Sequence, residues 1–287
     1  MAMGYWINAG MQSSATINVS SDGHVAVLTG SPDIGGSRAS MALMAAEVLG
    51  IPFDHVHPQV VATDSVGHTD VTGGSRTTLA TGQAVIQAAE SCVAEMCRRA
   101  AAQWGVEPGV VAWSQGAAHY GEHTLTFEEL AERAGGMGGP LTFSSSLTAT
   151  STSPGFAVHI CDAEVDKETG RTTITRYTTI QDAGKAIHPD YVEGQMQGGA
   201  VQGIGWALNE EYLYNADGVL ENPGLPRLPH SGCIGSALYR YGDCRDTQSV
   251  TSLWCQGCGR GADCAADARY CRGGCISPPA CASEIYR

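Results

Sequence analysis

Two short loops carry glycine, serine and arginine in the same order, and these residue types suit the binding of an anion or a polar ring. Residues 30–38 and 70–76 both end in Gly-Gly-Ser-Arg immediately before a predicted helix. Glycine lets the main chain approach a ligand closely, and the first N–H groups of a helix have no partner within it. Serine adds a hydroxyl and arginine a bidentate donor. The matching ends make both loops candidate binding loops, with the candidate residues Gly35, Gly36, Ser37, Arg38, Gly73, Gly74, Ser75 and Arg76.

A third segment, residues 193–205, reads EGQMQGGAVQGIG and places three glutamines and five glycines where a helix is expected. Each glycine costs a helix about 1 kcal/mol, so the segment gives up helix stability for close approach of a ligand or another backbone. Gln195 and Gln202 are seven residues apart and fall on nearly the same helical face. Taken alone, the segment fits close helix packing equally well. Neither glycine loop matches the G-x-x-x-x-G-K-[ST] or G-x-G-x-x-G pattern, so the common nucleotide folds are not supported.

Hydrophobic periodicity and turn signals predict the elements that must position these loops. The order of strand pairs, loops and helices predicts an α+β fold, with mixed layers of β-hairpins, sheets and helices in two related lobes. We expect a first lobe over residues 1–140, a second, incomplete lobe over 141–224, and an aberrant tail over 225–287. The predicted elements are a hairpin over 15–27, helices over 38–49, 77–104 and 191–208, a strand over 56–62, a short strand and a small helix within 107–134, a flexible junction over 135–139, a hairpin over 156–181 and a last hairpin over 211–220.

The formal net charge of −13 argues against nucleic acid as a partner, because an acidic field repels phosphate backbones. No apolar run approaches the roughly 20 residues of a membrane span, and the first ten residues lack the pattern of a signal peptide. Cys92, Cys97 and Cys161 are scattered, as is usual in a reducing compartment. The sequence therefore predicts a cytoplasmic protein without a membrane or nucleic-acid partner.

The composition changes abruptly after Gly224, since eight of the eleven cysteines lie beyond it. If one base is dropped there, synonymous codons allow residues 225–231 to read FLDYRI and residues 254–262 to read GVKGVGEV. We interpret residues 225–287 as an out-of-frame, disordered tail created by a one-base insertion. The competing interpretation is a metal-binding tail, because Cys255 and Cys258 have the spacing of half a zinc site.

Together the three motifs resemble the molybdenum-binding large subunit of the xanthine dehydrogenase/aldehyde oxidase family. That family carries a D-I-G-Q-G loop before a helix, a later G-S-R loop and a helix of the form E-G-Q-x-x-G-G-x-x-Q-G-I-G. Residues 33–38, 73–76 and 193–205 are the counterparts here, and residues 182–189 are similar to the family's D-x-G-x-x-I-N-P turn. The likeness covers about residues 5–224.

The resemblance implies a molybdenum–molybdopterin cofactor, in bacteria usually in its cytosine dinucleotide form. Family members are oxidoreductases that hydroxylate an N-heterocycle or an aldehyde. If the matching residues have the same roles as in the family, Gln202 and the second loop would hydrogen-bond the pterin and its phosphate arm. The electrons would leave through a 2Fe-2S small subunit and an FAD medium subunit, so these two subunits are the expected partners.

Three departures from the family pattern shape the functional prediction. Gly36 replaces the glutamine of D-I-G-Q-G, the chain begins well inside the family's large subunit, and the catalytic glutamate of G-V-G-E falls on Arg260 and Gly261. A lost general base typically removes a factor of roughly 10²–10⁴ in rate. We therefore expect the cofactor-binding fragment of a molybdenum hydroxylase, inactive alone, with no catalytic residue and no metal ligand of its own. The alternatives are a non-catalytic module that binds a partner or an anion, and a chain that does not fold stably.

Overall fold

The computed structural model describes residues 1–150, 154–208, 210–223 and 240–243. It confirms an α+β fold, with three β-sheets and helices packed on them. The strands are β1 (Ala2–Ile7), β2 (Met11–Val19), β3 (Val25–Thr29), β4 (Val56–Val60), β5 (Ala112–Ser114), β6 (Ala117–Tyr120), β7 (His123–Thr126), β8 (Leu141–Ala149), β9 (Pro154–Val165), β10 (Thr172–Gln181) and β11 (Arg240–Asp243). The helices are α1 (Ser37–Leu49), α2 (Thr63–Val66), α3 (Gly82–Trp104), α4 (Phe127–Glu132) and α5 (Pro189–Leu208).

The first sheet has the strand order β4-β3-β2-β8 and contains the predicted hairpin. β2 and β3 are antiparallel with Ala15 opposite Thr29, and Gly23 takes a φ of 80° in the turn between them. β4 runs parallel to β3, so the chain crosses over through α1. β8 pairs with β2 along its whole length, although no strand was predicted there. Leu141, Phe143 and Leu147 alternate along it and pack on the core, while hydroxyls of its other residues pair with those of β2, as in the 2.8 Å contact of Ser14 with Ser146.

Helices α1 and α3 cover one face of this sheet and form the main core. α1 ends as predicted at Gly50, which has a φ of 72° and donates its N–H to the carbonyl of Ala46. Val85 and Met96 of α3 are fully buried in this core. The predicted long helix begins differently, because Thr77–Thr81 form a π-helical turn before α3. The short helix α2 likewise lies within the segment predicted as a loop.

The junction at residues 135–139 was predicted to be flexible, but the structure ties it to α3. Arg99 is 4% exposed and donates to the carbonyls of Ala134 and Gly139, at 3.3 and 2.8 Å. The same guanidinium donates to Glu95 at 2.8 Å, and Arg98 binds the other oxygen of that carboxylate at 2.6 Å. The glycines therefore form an anchored turn.

Replacing Glu95 by Gln is expected to remove part of the acid sensitivity of this protein. Hydrogen bonds from Arg98 and then Arg99 lower the pKa of Glu95 from 4.5 to about 2, against the opposing effect of burial. A depressed folded-state pKa stabilises the protein above the unfolded value, and this contribution is lost as pH falls from 4.5 through about 2. Thermal midpoints of the wild type and Glu95→Gln should thus differ at pH 7 and converge near pH 2. Glu90→Gln, an exposed change on the same helix, is the control. A difference in thermal midpoint that stays the same at all pH values would contradict this explanation.

The second sheet has the order β1-β9-β10-β11 and includes the second predicted hairpin. β9 and β10 are antiparallel with Val158 opposite Ile180. β1 pairs antiparallel with β9, and the backbone of β11 runs parallel to β10. β8 follows residue 140 and joins the first sheet, whereas β1 precedes it and joins the second. Each sheet therefore contains strands from both sides of the predicted lobe boundary.

α5 covers one face of the second sheet, where Val192 and Met196 pack with Ala183. Pro189 occupies the first position of the helix, as predicted. The opposite face of the sheet leaves Tyr5 and Phe156 exposed, with their rings stacked at 6.2 Å.

A third, small sheet is formed by β5, β6 and β7, where the sequence predicted one short strand. α4 follows it and begins with a capping box between Thr126 and Glu129. The last predicted hairpin is present as a turn closed by the Tyr214–Leu220 bridge. Among the described residues, no helix is both long and apolar enough to cross a bilayer.

Candidate functional site

A pocket of about 430 Å³ lies where both glycine loops meet α5. Ile34 and Ser37 come from the first loop and its helix, and residues 72–73 and 75–78 come from the second. α5 contributes Val192, Gln195 and Met196. The structure thus brings together three segments that are far apart in the sequence. The chain order alone could not show that they share one cavity.

The second loop offers the pocket a row of uncommitted main-chain donors. Within the described part of the chain, the N–H groups of Gly73, Gly74 and Ser75 donate to no acceptor, whereas residues 73–76 close a turn in which Arg76 follows Ser75. Ser75 has a φ of 53°, in the left-handed region that non-glycine residues rarely adopt. The loop is pressed against the β1–β2 connection, because Ala9 donates to the carbonyl of Gly74 at 2.9 Å and a Cβ on Gly74 would lie 2.7 Å from that of Ala9. Successive N–H groups of this kind are suited to phosphate oxygens.

Arg76 holds this loop in place with a guanidinium that the sequence suggested would bind a ligand. The side chain is fully buried and donates to the carbonyl oxygens of Gly10 and Asp70, at 2.7 and 3.0 Å. It also donates to the carbonyl of Gln12 and to the Ser13 hydroxyl. Burial lowers its pKa, and the nearby Asp70 opposes that effect. The guanidinium that was predicted to bind a ligand is therefore committed to protein acceptors.

The carboxyl of Asp70 completes the same network on the other side of the loop. It accepts the main-chain N–H of Gln12 at 2.7 Å and lies 3.1 Å from His68. These hydrogen bonds, led by that from Gln12, hold the pKa of Asp70 below its usual value. The loop is therefore fixed to β2 from two directions.

The first loop is shaped by α5. Gly35 and Gly36 both have positive φ values, 59° and 80°. A Cβ on Gly35 would overlap the carboxamide of Gln195, and a Cβ on Gly36 would overlap the ring of Tyr191. Tyr191 in turn stacks on His188, with ring centroids 3.8 Å apart. Both positions are glycine because two side chains of α5 occupy the space that a Cβ atom would need.

Most of the first loop's polar groups are used internally. The N–H of Ser37 donates to Ile34, and the Ser37 hydroxyl accepts from the N–H of Ile34 at 3.2 Å. Arg38 is half exposed, its N–H donates to Asp33, and its guanidinium lies 3.3 Å from that carboxylate. Of the predicted residues in this loop, Ser37 lines the pocket and Arg38 does not.

The two glutamines that share a face of α5 have different positions relative to the pocket. Gln195 lines it, whereas Gln202, the predicted ligand, is exposed outside the lining. Seven residues of helix separate them by roughly 10 Å. Gln195 was missed as a site residue, although its place on the same face as Gln202 was the available signal.

The donor set of the pocket fits the polar parts of a molybdopterin cofactor. Thr72, Ser75 and Thr77, which carry hydroxyls, line the pocket beside the free loop amides, and none of its lining residues in the described chain is acidic. A Cβ on Gly73 would meet nothing within 4 Å, so this glycine leaves the loop backbone open to a ligand. The overall charge of the chain repels anions, and only such local donors can hold one.

No cluster of three or more His, Cys, Asp or Glu side chains with metal-ligand geometry occurs in the described residues. Cys92 is buried, and burial raises its pKa to about 12. The Cys255–Cys258 pair and the position aligned with the catalytic glutamate lie outside the described residues, as does the predicted tail except for β11.

Comparisons of this chain with known proteins all point to the same family. The family model for the molybdopterin cofactor-binding domain matches residues 1–227. The xanthine dehydrogenase molybdenum-binding subunit of Escherichia coli O157:H7 is 30% identical over 83% of this chain, which covers 34% of that relative. Indole-3-acetaldehyde oxidase of Zea mays is 31% identical over 72% of the chain and 15% of its own length.

Solved structures share the fold. Cu,Mo-CO dehydrogenase superposes with a TM-score of 0.78 at 22% identity, over 89% of this chain and 36% of that one. Quinoline 2-oxidoreductase from Pseudomonas putida 86 gives 0.76 at 21% identity, over 89% and 35%. The chain thus spans at most about a third of the length of these proteins. It belongs to the family of molybdopterin cofactor-binding domains carried by the molybdenum-binding subunits of xanthine dehydrogenases and aldehyde oxidases.

Proposed function

We propose that this chain binds the dinucleotide form of molybdopterin as the cofactor-binding portion of a molybdenum hydroxylase. One observation carries the proposal: the pocket joins the free amides of the second loop, the glycine loop before α1 and the glutamine face of α5. Such a cofactor has a polar ring, a phosphate arm and a nucleotide, and an extended ligand needs several separate groups of donors. When bound, it supplies a molybdenum ion that exchanges electrons with an organic substrate.

The residues of this chain would bind and orient that cofactor. The N–H groups of Gly73, Gly74 and Ser75, with the Ser75 hydroxyl, would hold the phosphate arm, and Arg76 would keep the loop in place. Ser37 and the Gly35–Gly36 turn would contact the ligand from the first loop, and Arg38 would add charge at its exposed rim. Gln202 would hydrogen-bond the pterin at the far end of the helical face. Val192 and Met196 would exclude water from one side.

The remaining parts of the proposal concern the rest of the enzyme. We infer the cytosine dinucleotide form, a cytoplasmic location, and partner subunits that carry 2Fe-2S and FAD. The relative in Paenarthrobacter nicotinovorans is itself named as a subunit of a dehydrogenase complex. We further propose that residues 1–140 and 141–224 form two related lobes that exchange β1 and β8, and that the chain is inactive without the family's glutamate. Sequencing the locus around the Gly224 codon tests the frameshift directly.

Molybdenum and pterin content test the proposed function. The full chain would be purified from a host that makes molybdopterin cofactors, and metal would be measured by mass spectrometry. Released pterin would be measured by fluorescence after oxidation. We expect both in a constant ratio, with cytosine released as the nucleotide. Stoichiometric zinc without pterin would instead favour the non-catalytic, metal-binding alternative.

Gly73→Val is expected to abolish cofactor retention without unfolding the protein. A side chain there would meet no protein atom within 4 Å, so it would extend into the open pocket. Gly109→Val is a matched control, because Gly109 also has open space around its Cβ and a φ outside the left-handed region, but lies away from the pocket. We expect at least tenfold less pterin in Gly73→Val, roughly the loss expected when about 1.4 kcal/mol of affinity is removed. Equal pterin in both variants would rule out the second loop as the binding site.

A further inference from the structure

One wall of the pocket is built from residues outside both glycine loops. Trp6 comes from β1, Gln181 ends β10, and Gln195 lies on α5. Three separate elements therefore converge here, and none of these residues belongs to the predicted loop site. Their chemistry also differs from that of the loops, because it combines one large aromatic ring with two carboxamides.

The strand register places Trp6 and Gln181 on the same face of the second sheet. Trp6 is opposite Gly155 on the neighbouring strand β9, and Gln181 is opposite Ala157 on the same strand. Directly paired residues share a face, as do residues two apart along a strand. The two side chains therefore flank a strip of β9 that carries nothing larger than a methyl group. Two strand spacings of about 4.8 Å and an offset of two residues along β9 separate their backbones by roughly 12 Å, which leaves room for one planar ring.

The polar and aromatic groups of this wall are not committed elsewhere. The Trp6 side chain is 60% exposed and contacts no other aromatic ring in the described residues. Neither the Gln181 nor the Gln195 carboxamide makes a hydrogen bond within that part of the chain. Each carboxamide offers two donors and one acceptor, the combination found along the edge of a nitrogen heterocycle.

Gln195 is also held in position. Its carboxamide occupies the space that a Cβ on Gly35 would need, and Gly35 has a left-handed φ of 59°. Close packing of this kind limits the rotamers of a surface glutamine. The amide is thus presented to the pocket with less conformational entropy left to lose on binding.

We propose that Trp6, Gln181 and Gln195 form a ring subsite that binds a planar nitrogen heterocycle. The indole stacks on the face of the ring, and the two carboxamides hydrogen-bond its edge. The heterocycle is either a base of the bound cofactor or an N-heterocyclic substrate, which share this chemistry. An aliphatic aldehyde has no ring to stack. The inference rests on the proposed function, because it assigns a ligand class to the same pocket.

Calorimetric titration of the full chain tests the subsite with three probes. Hypoxanthine is a free heterocycle, cytidine 5′-monophosphate joins a base to a phosphate, and ribose 5-phosphate has the phosphate alone. We expect both ring compounds to bind, and ribose 5-phosphate to bind at least about tenfold more weakly than cytidine 5′-monophosphate, the size of one stacking contact. Hypoxanthine binding as tightly as the nucleotide would indicate a substrate ring, and tighter nucleotide binding would indicate a cofactor base. Equal binding of the two phosphates would overturn the proposal.

Variants separate stacking from general damage to the fold. Trp6→Ala should weaken both ring compounds about tenfold or more, and Trp6→Phe should restore most of the loss. Trp206→Ala is the matched control, because Trp206 is 78% exposed on α5 but outside the pocket. Gln195→Leu and Gln181→Leu should also weaken binding. Gln197→Leu should not, since that amide bonds Glu193 on the same helix. If Trp6→Ala binds both ring compounds with wild-type affinity, the proposal is wrong.

The proposed function and the ring subsite can be rejected independently of each other. Absence of molybdenum and pterin would reject the proposed function, whatever the heterocycle titrations show. The ring subsite alone would be rejected if the cofactor content is normal but hypoxanthine and cytidine 5′-monophosphate do not bind the cofactor-free chain. Binding of these compounds that does not depend on Trp6 would reject it as well.

Discussion

Arg76→Met is expected to destabilise the protein by about 3–5 kcal/mol, because it removes a buried guanidinium that serves four acceptors. The acceptors come from β2, from the connection before it and from the second loop itself. Met fills a similar volume but leaves buried carbonyl oxygens unpaired, each at a cost of about 1–3 kcal/mol. At about 2–4 °C per kcal/mol for a chain of this size, the thermal midpoint should fall by roughly 10 °C.

The control for this substitution is Arg38→Met. Arg38 stands at the equivalent place in the first loop, but its side chain is 52% exposed and pairs only with Asp33. An exposed ion pair contributes about 0–1 kcal/mol, so its midpoint should change by no more than a few degrees. Arg76→Lys should resemble Arg76→Met, because one ammonium group cannot reproduce the planar set of donors. If the two arginines proved equally dispensable, the structural role given to Arg76 would be wrong.

Gly36→Gln, which restores the family's glutamine, is expected to harm this protein instead of improving it. Gly36 has a φ of 80°, where a side chain costs about 1–2 kcal/mol, and its Cβ would overlap the Tyr191 ring. Overpacking adds about 1–3 kcal/mol, so the total loss should reach about 2–5 kcal/mol. Thermal unfolding would measure the loss, and cofactor content should fall with it because the first loop and α5 can no longer pack.

Two further variants separate the cost of backbone strain from the cost of the overlap with Tyr191. Gly105→Gln carries the backbone strain alone, since Gly105 has a φ of 69° with nothing within 4 Å of a Cβ. It should therefore cost only about 1–2 kcal/mol. Tyr191→Ala in the Gly36→Gln background should recover the part of the loss caused by overlap, giving a coupling of about 1–2 kcal/mol in a double-mutant cycle. Additive effects would mean that Tyr191 does not explain why residue 36 is glycine.

Local sequence patterns predicted most of the regular elements correctly. The β2–β3 and β9–β10 hairpins have alternating apolar residues around clear turns, and their pairing confirms the prediction. α1 and α5 begin and end within one or two residues of their predicted positions. β1 was missed because it shows no apolar alternation. β8 was missed although Leu141, Phe143 and Leu147 alternate along it, because serines and threonines fill the positions between them. Both strands are stabilised by pairing with strands far away in the sequence.

The sequence by itself determined the family, the α+β class and two of the loops that reach the pocket, because these depend on motifs and local periodicity. Only the tertiary structure showed that the Arg76 guanidinium is committed to protein acceptors and that Gln195, not Gln202, lines the pocket. Only it paired β1 with β9 and placed Trp6 in the pocket lining. The physical reason is that a side chain's partners are set by contacts between distant segments, and residue spacing along the chain does not encode these contacts.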